Sequence, residues 1–461
     1  MSEYQRGLDQ NQIVTSFASR RNFMTEMNRR KFLVRTGLAL GASLLSGVTS
    51  STGFAGRPPD EASTSWEWVR SQFRLSPDLI HMAGFFLASH PVSVREAIER
   101  HRDGLDANPI GYWLEHEQKK EAAVLRAAAD YLAVDPTEIA LTDSTTMGLG
   151  LLYGGMSLAE GQEILTTIHD HYATDVSLKL RAHRTGAVVR HIALYRDLHS
   201  VTRDEVVDTI VSHVTAHTRV LAVTWVHSGT GLKLPIRHIG ERLAEINAGR
   251  TEKDRILFCV DGVHALGVED VRLNEAGCDF FIAGTHKWMF GPRGTGLVWG
   301  HTRAWPVANA IIPTFNTEAY DIWTRDLPPH DLPQSIFMTP GGFHSFEHRW
   351  ALDEAFNFHQ AIGKQRVTER IHALNDQLKS GLASLRHVRL HTPRSRELSS
   401  GIVCFDVDGM DPQETVDRLR QHGIMGSVTP YANHYARLAP GLLTSPEDID
   451  ATIRAVHQLK G

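Results

Sequence analysis

An α/β fold is predicted, with a mostly parallel sheet of seven strands in a large domain and a smaller α+β domain after it. Two observations carry this. Short apolar, β-branched runs alternate with amphipathic helical stretches from about residue 138 to residue 300, the pattern of strand–helix–strand units that build a parallel sheet with helices on both faces. Beyond that stretch helices dominate around one strand-like run, the mark of a separate α+β unit. The 461-residue chain is long enough for two such cores.

The chain opens with an export signal. Asn28-Arg29-Arg30-Lys31-Phe32-Leu33 precedes an apolar, small-residue stretch from Gly37 to Val48, and Gly53-Phe54-Ala55 offers a cleavage site. Charged, apolar and cleavable regions in that order make a signal peptide, and the paired arginines followed by Phe-Leu are of the twin-arginine type. The apolar run is too short and too rich in Gly and Ser to span a bilayer. Residues 1–55 are therefore expected to be a twin-arginine signal region cleaved near Ala55, with Met24 and Met27 as alternative starts. The mature protein is expected in the periplasm after passage through the twin-arginine translocase. That route carries proteins already folded, so a cofactor made in the cytosol can be locked in beforehand. Residues 56–66, polar and Pro-rich, read as a linker.

Residues 67–100 are expected to join the small domain, 101–310 to form the large domain, and 311–461 the connector and small domain. Asp78–Phe86 is an apolar entry segment. Pro91–Leu105 and Glu117–Leu132 have helical character, with Asn108-Pro-Ile-Gly-Tyr-Trp113 between them as a loop. Strands are predicted at Glu138–Leu141, Glu163–Thr167, Ala187–Leu194, Val220–Val226, Ile256–Val260, Phe280–Ala283 and Leu297–Trp299. Val206, Val207, Ile210 and Val214 mark one intervening helix, and Ile236, Ile239, Leu243 and Ile246 another. Thr302–Pro340 is Pro- and aromatic-rich with little periodicity, a candidate substrate entrance containing Asn316, Tyr320 and Trp323. Helices over 351–362 and 368–385, a strand over 398–407, and helices over 411–422 and 448–459 complete the small domain.

A net charge of −5 with mixed signs argues against nucleic-acid or other polyanion partners. Cys259, Cys278 and Cys404 lie in or beside strand-like runs and read as buried small hydrophobes rather than a disulfide framework. His169 and His171 sit two residues apart on a loop with no third ligand at a defined spacing, so no metal site is expected.

Chemistry concentrates between residues 261 and 296. One apolar run ends on Asp261-Gly-Val-His264; the next ends in Gly284-Thr285-His286-Lys287-Trp288, followed by Gly291-Pro-Arg-Gly-Thr-Gly296. Ligands of open α/β sheets sit beyond the carboxyl ends of the strands, so Asp261 and Lys287 are expected to share one crevice. The strand before His227-Ser228 should end there too. A strand-end aspartate or a lysine after a turn is ordinarily structural when alone. Together they suit pyridoxal 5′-phosphate (PLP), which needs a lysine amine for a Schiff base and an acid to keep its pyridine nitrogen protonated. Lys287 is the candidate amine and proton shuttle at the substrate α-carbon, Asp261 the acid, and His286 a contact to phosphate or substrate. Earlier, Thr142-Asp-Ser144-Thr145-Thr146 would open a helix whose free N–H groups suit an anion.

These same motifs carry a family resemblance. Asp261-Gly-Val-His264 and Thr285-His286-Lys287-Trp288, with Gly291-Pro-Arg-Gly294, resemble the class V aminotransferase group of fold-type I PLP enzymes, from about residue 78 to the end. That group includes cysteine desulfurases, kynureninases and isopenicillin N epimerase-like proteins. The resemblance implies that Ser144, Thr145 and Thr146 hold the phosphate, with Thr285 and His286 among the cofactor contacts. It implies that His171, with Tyr172 as runner-up, stacks on the pyridine ring, and that His264 faces the ring hydroxyl. It implies that Arg437 forks the substrate α-carboxylate; the alternative for Arg437 is a surface pair with Glu447 or Asp448. It further implies a homodimer whose interface builds the site. Two departures stand out. Near the place where relatives have a Gly-Thr pair reaching the partner's phosphate, this chain has His348-Arg349, which makes Arg349 itself an anion candidate. Where desulfurases carry a mobile cysteine, residues 426–434 have none, which argues against persulfide transfer.

The expected function is PLP-dependent chemistry on the amino group or α-carbon of an amino-acid or peptide-like metabolite in the periplasm. Transamination, epimerisation and C–S lysis stay open. An export signal on an epimerase-like chain also resembles the periplasmic enzyme that modifies the glutamyl side group during maturation of the siderophore pyoverdine. The contrasting expectation is a PLP-fold binding protein without turnover, against which Lys287 and Asp261 argue.

Overall fold

The structure is a computed structural model that describes residues 65–327 and 332–459. The expected twin-arginine region, Arg29-Arg30 included, and nearly all of the linker lie outside the described residues.

After β1 (Ile80–His81) come β2 (Ile139–Thr142), β3 (Glu163–Thr167), β4 (Val188–Ile192), β5 (Thr218–Thr224), β6 (Leu257–Asp261), β7 (Phe280–Gly284) and β8 (Gly296–Gly300). These last seven form one sheet in the order β2-β8-β7-β6-β5-β3-β4. Only β8 runs against its neighbours β2 and β7; the other pairings are parallel. Burial on both faces explains why the strands read as unbroken apolar runs. Every residue of β5, β6, β7 and β8 is buried. Alternation sends Phe258 and Val260 of β6 into one apolar cluster and Leu257 and Cys259 into the other. The helix Ile236–Asn247 covers the first with Ile236, Ile239 and Leu243. The helix Thr145–Gly155 covers the second with Leu149, Leu151 and Leu152.

The smaller lobe holds β9 (Val388–Leu390), β10 (Val403–Val407), β11 (Ile424–Met425), β12 (Ser427–Val428) and β13 (Ala436–Leu438). Four of them make an antiparallel sheet in the order β12-β13-β10-β9. The fifth, β11, pairs in parallel with β1, Ile80 opposite Ile424, so the start of the described chain is stitched into the smaller lobe. The helices Lys364–Ser384, Pro412–Gln421 and Pro446–Gln458 back this lobe through Leu374, Leu378, Leu419 and Val456. A further apolar cluster, including Phe85, Trp288, Phe290, Phe358, Ile402 and Ala439, packs the entry segment, the lysine-bearing turn and the smaller lobe together.

Three expectations are corrected. Residues 108–113 are not a loop: a helix spans Pro109–Leu132, with the Asn108 side chain accepting from Gly111 N–H at 3.2 Å. Asn-Pro-Ile-Gly reads as turn chemistry, yet proline at the first helical position gives up only an N–H that would have no partner. Within 302–340, helices form at Thr317–Arg325, capped by Asn316, and at Gln334–Met338. The strand expected over 398–407 begins only at Val403. All three cysteines are buried and unpaired.

Candidate active site

Asp261 ends β6, and Lys287 lies on the turn after the adjacent β7, in which Ile282 pairs with Asp261. Gly262 makes this close packing possible: a Cβ there would meet Phe281 Cε2 at 1.8 Å. Asp261 is 3% exposed and accepts one hydrogen bond, from Val263 N–H at 3.1 Å. Burial pushes its carboxyl up to about 6, against the pull of that N–H and of Lys287. Burial likewise brings the Lys287 ammonium down to about 8, with Asp261 opposing and Arg437 assisting. An amine so shifted is part-neutral near neutral pH and ready to act as a nucleophile or base.

The start of the helix Thr145–Gly155 provides an anion cradle. Ser144 caps it, its Oγ accepting from Met147 N–H at 3.1 Å and its carbonyl from Gly148 N–H. The amides of Thr145 and Thr146 are the first-turn donors left without a protein acceptor among the described residues. Thr145 Oγ1 accepts from Gly284 N–H at 2.7 Å, which fastens the helix start to the end of β7. A Cβ on Gly284 would lie 3.0 Å from both His286 Cε1 and Thr145 Oγ1 and 3.2 Å from Thr145 N. His286 and the cradle therefore converge on one small space, and His286 Nδ1 is buried without a partner. Thr146 is exposed. Thr285 departs from its expected place among the cofactor contacts. Its hydroxyl is engaged by Thr295, 2.5 Å from Oγ1 and 3.2 Å from the carbonyl, so it braces the glycine-rich turn.

His171 caps the helix Tyr172–Thr185, its Nδ1 accepting from Ala173 N–H at 3.2 Å. Burial, and then the charges of Lys287 and Arg437, lower its basicity. Tyr172 is 74% exposed and drops out as the runner-up. His169 turns away to stack on Tyr195, ring centroids 4.5 Å apart. Asp170 between them is buried and locks two strand ends together. Its Oδ2 accepts from Thr167 N–H and from the hydroxyls of Thr166 and Thr167, and its Oδ1 from Thr224 N–H at 2.6 Å. His264 is 5% exposed, and its Nδ1 accepts from the Trp288 indole N–H at 3.3 Å.

Arg437 is buried in β13 and pairs with neither Glu447 nor Asp448; Asp448 belongs to the capping box with Ser445. Its guanidinium lies 4.4 Å from the centre of the Phe85 ring and donates to Ser427 Oγ, the Ser228 carbonyl and the Val428 carbonyl. Tyr431, in the loop between β12 and β13, sets its hydroxyl 2.7 Å from Ser228 Oγ and its ring 6.3 Å from that of His171. Arg349 is not available to an anion as expected: it is buried, 3.3 Å from Asp143 and 3.5 Å from Glu121. Asp170, Trp288 and Tyr431 carry no role in the sequence reading. Their parts depend on contacts with residues 24 to 203 positions away, and only Ser228, just beyond a strand end, had a positional signal.

The residues present fit PLP. The cradle with its two spare amides and the unpartnered His286 Nδ1 suits a phosphate, the buried Asp261 carboxylate a pyridinium, and the half-buried Lys287 amine of lowered basicity an aldehyde carbon. The chain is 25% identical over 413 residues to isopenicillin N epimerase of Streptomyces clavuligerus, spanning 87% of this chain and 100% of that protein. It is also 25% identical over 341 residues to a probable cysteine desulfurase of Halalkalibacterium halodurans, 70% of this chain and 78% of that one. A mutant of the enzyme C-DES with glycine covalently linked to its PLP cofactor superposes with a TM-score of 0.75 at 20% identity, covering 85% of this chain and 99% of that chain. The cysteine desulfurase of Thermococcus onnurineus NA1 gives 0.72 at 19% identity, with 88% and 98% covered. These likenesses establish the fold. Residues 114–436 match the aminotransferase class-V family, and the chain belongs to that family as a PLP-dependent enzyme of fold type I.

Proposed function

We propose that this enzyme acts on the amino group or α-carbon of an amino-acid or peptide-like metabolite in the periplasm, with modification of a pyoverdine-type siderophore side group as the specific instance. The observation that carries the reading is the half-buried Lys287 amine, its basicity lowered by desolvation and by the Arg437 charge, set against the charge of the buried Asp261 carboxylate. When bound, PLP supplies an electron sink for the carbanion at the substrate α-carbon. Lys287 then moves the proton at that carbon. Asp261 would hold positive charge at the ring nitrogen, and His171 would cover the ring. Arg437 uses three of its five donors within the protein and keeps two for a substrate carboxylate. No thiol serves the site among the described residues. Cys404 lies within β10, where burial pushes its thiol up to about 12, and the neighbouring loop presents Tyr431 instead. Chemistry that needs no persulfide is therefore favoured.

The test is a screen of amino donors with detection of oxo acid, ammonia or inverted stereochemistry, including a siderophore peptide that bears a glutamyl side group. Modification of that peptide is the expected outcome; turnover of free amino acids alone would replace it with amino-acid transamination, epimerisation or lysis. Borohydride treatment of the holoenzyme is expected to leave a pyridoxyl adduct on residue 287. Lys287→Ala should lose both the adduct and about 10²- to 10⁴-fold of turnover. An unchanged absorbance spectrum in that variant would overturn the assignment, and protein that takes up no PLP would favour a binding scaffold.

The working unit is proposed to be a homodimer that leaves the cytosol through the twin-arginine translocase. A groove of about 280 Å³, lined by Leu180, Ile311 and Ile312 with Arg181 and Arg184, supports a second copy as its cover. Those three apolar side chains are 53%, 49% and 40% exposed, and a second copy would cover them.

A further inference from the structure

We infer that Trp288 is a positioning residue that fixes the ring proton of His264 on Nε2, so that His264 presents an N–H donor to the hydroxyl oxygen of the cofactor ring. The inference rests on the reading of Lys287 and Asp261 as the PLP site. An indole nitrogen donates and never accepts. With Trp288 Nε1 at 3.3 Å, His264 Nδ1 must be the acceptor and carry no proton. Burial, reinforced by the nearby Lys287, Arg437 and His171 charges, holds His264 well below the ordinary imidazole value, so the ring is neutral. A neutral ring has one proton and two nitrogens; with Nδ1 excluded, the proton sits on Nε2. Among the described residues His264 makes no other hydrogen bond, which leaves that N–H for a ligand.

The donor itself is clamped. His359 Nε2 donates to the Trp288 carbonyl at 2.9 Å. A Cβ on Gly401 would lie 2.7 Å from Trp288 Cη2, and one on Gly441 3.4 Å from Cζ3. The Phe85 ring packs 6.4 Å from the indole. Trp288 follows Lys287 directly in the chain, so one clamp sets both the amine's backbone and the histidine's tautomer. A hydrogen bond donated to the ring oxygen favours its anionic form, which shows in the balance between the cofactor's long- and short-wavelength absorbance bands.

The experiment measures that balance in the holoenzyme for Trp288→Phe, His264→Gln and the double variant. A glutamine amide offers an N–H whatever Trp288 does. Trp288→Phe is therefore expected to lower the long-to-short ratio by about fivefold, the factor one buried hydrogen bond is worth. In the His264→Gln background the same change should leave the ratio unmoved. Equal shifts in both backgrounds, or none in either, would overturn the proposal, because loss of packing beneath Gly401 is common to both. In cofactor-free protein labelled with ¹⁵N-histidine, the resonance removed by His264→Gln should report a proton on Nε2, and a mixture of tautomers once Trp288 is Phe. A mixture already present in the parent would sink the inference on its own, while loss of the borohydride adduct at residue 287 would sink the cofactor reading separately.

Discussion

Asp261 works against the fold that holds it. Its folded value, about 6, lies above the ordinary 3.8 because burial disfavours the charged carboxylate. A group raised in this way contributes its stability fully below pH 3.8 and loses it as pH climbs through about 6, an effect of up to about 3 kcal/mol. Asp261→Asn is therefore expected to raise the Tm of the cofactor-free protein at pH 7 and to bring no gain near pH 4, while turnover falls. Thermal melts at the two pH values check this; an equal gain at both would show that ionisation is not the cause. This residue and Lys287 were legible in the sequence because each ends an apolar run and the pair suits one kind of chemistry. Trp288 and Tyr431 were not. The indole finds His264 across 24 residues, and the Tyr431 hydroxyl finds Ser228 across 203; no local pattern announces such meetings. Thr285 and Arg349 misled for the converse reason: the right residue type stood near the right place, but Thr295 and the pair Asp143 and Glu121 already held its polar atoms.

Between elements, Glu269 ties the large lobe to the smaller one. Its carboxylate takes Lys233 from beyond β5 at 3.0 Å, His372 from the helix Lys364–Ser384 at 3.0 Å, and Ser400 from ahead of β10 at 2.5 Å. Burial alone would raise its carboxyl, yet the His372 hydrogen bond, with Lys233 and Ser400, brings it down to about 2 from 4.5. The folded value is the depressed one, so the stability is present above pH 4.5 and lost as pH falls towards about 2, on the order of 3 kcal/mol. Glu269→Gln should lower stability at pH 7 by about 2–4 kcal/mol and flatten its decline across that acid window, read by urea unfolding at several pH values. A parallel downward shift at every pH would refute the ionic account. The strands of the large sheet were readable because burial on both faces leaves continuous apolar runs. The start of the helix at Pro109 was not, because a cap and a turn use the same residues and only the partner of Gly111 N–H tells them apart.

For the molecule as a whole, sedimentation of the mature protein is expected to give a dimer. Leu180→Glu with Ile311→Glu should give a monomer with reduced activity and an unchanged fold by circular dichroism; a parent monomer of full activity would remove the interface. The pairing of β1 with β11 has a further consequence, for biosynthesis. Ile80 waits for Ile424, so β1 stays unpaired in a nascent chain until residue 424 has been made. A protein cut short before residue 424 would keep Lys287 and Asp261 yet lack both this pairing and Arg437, the residue proposed to hold a substrate carboxylate.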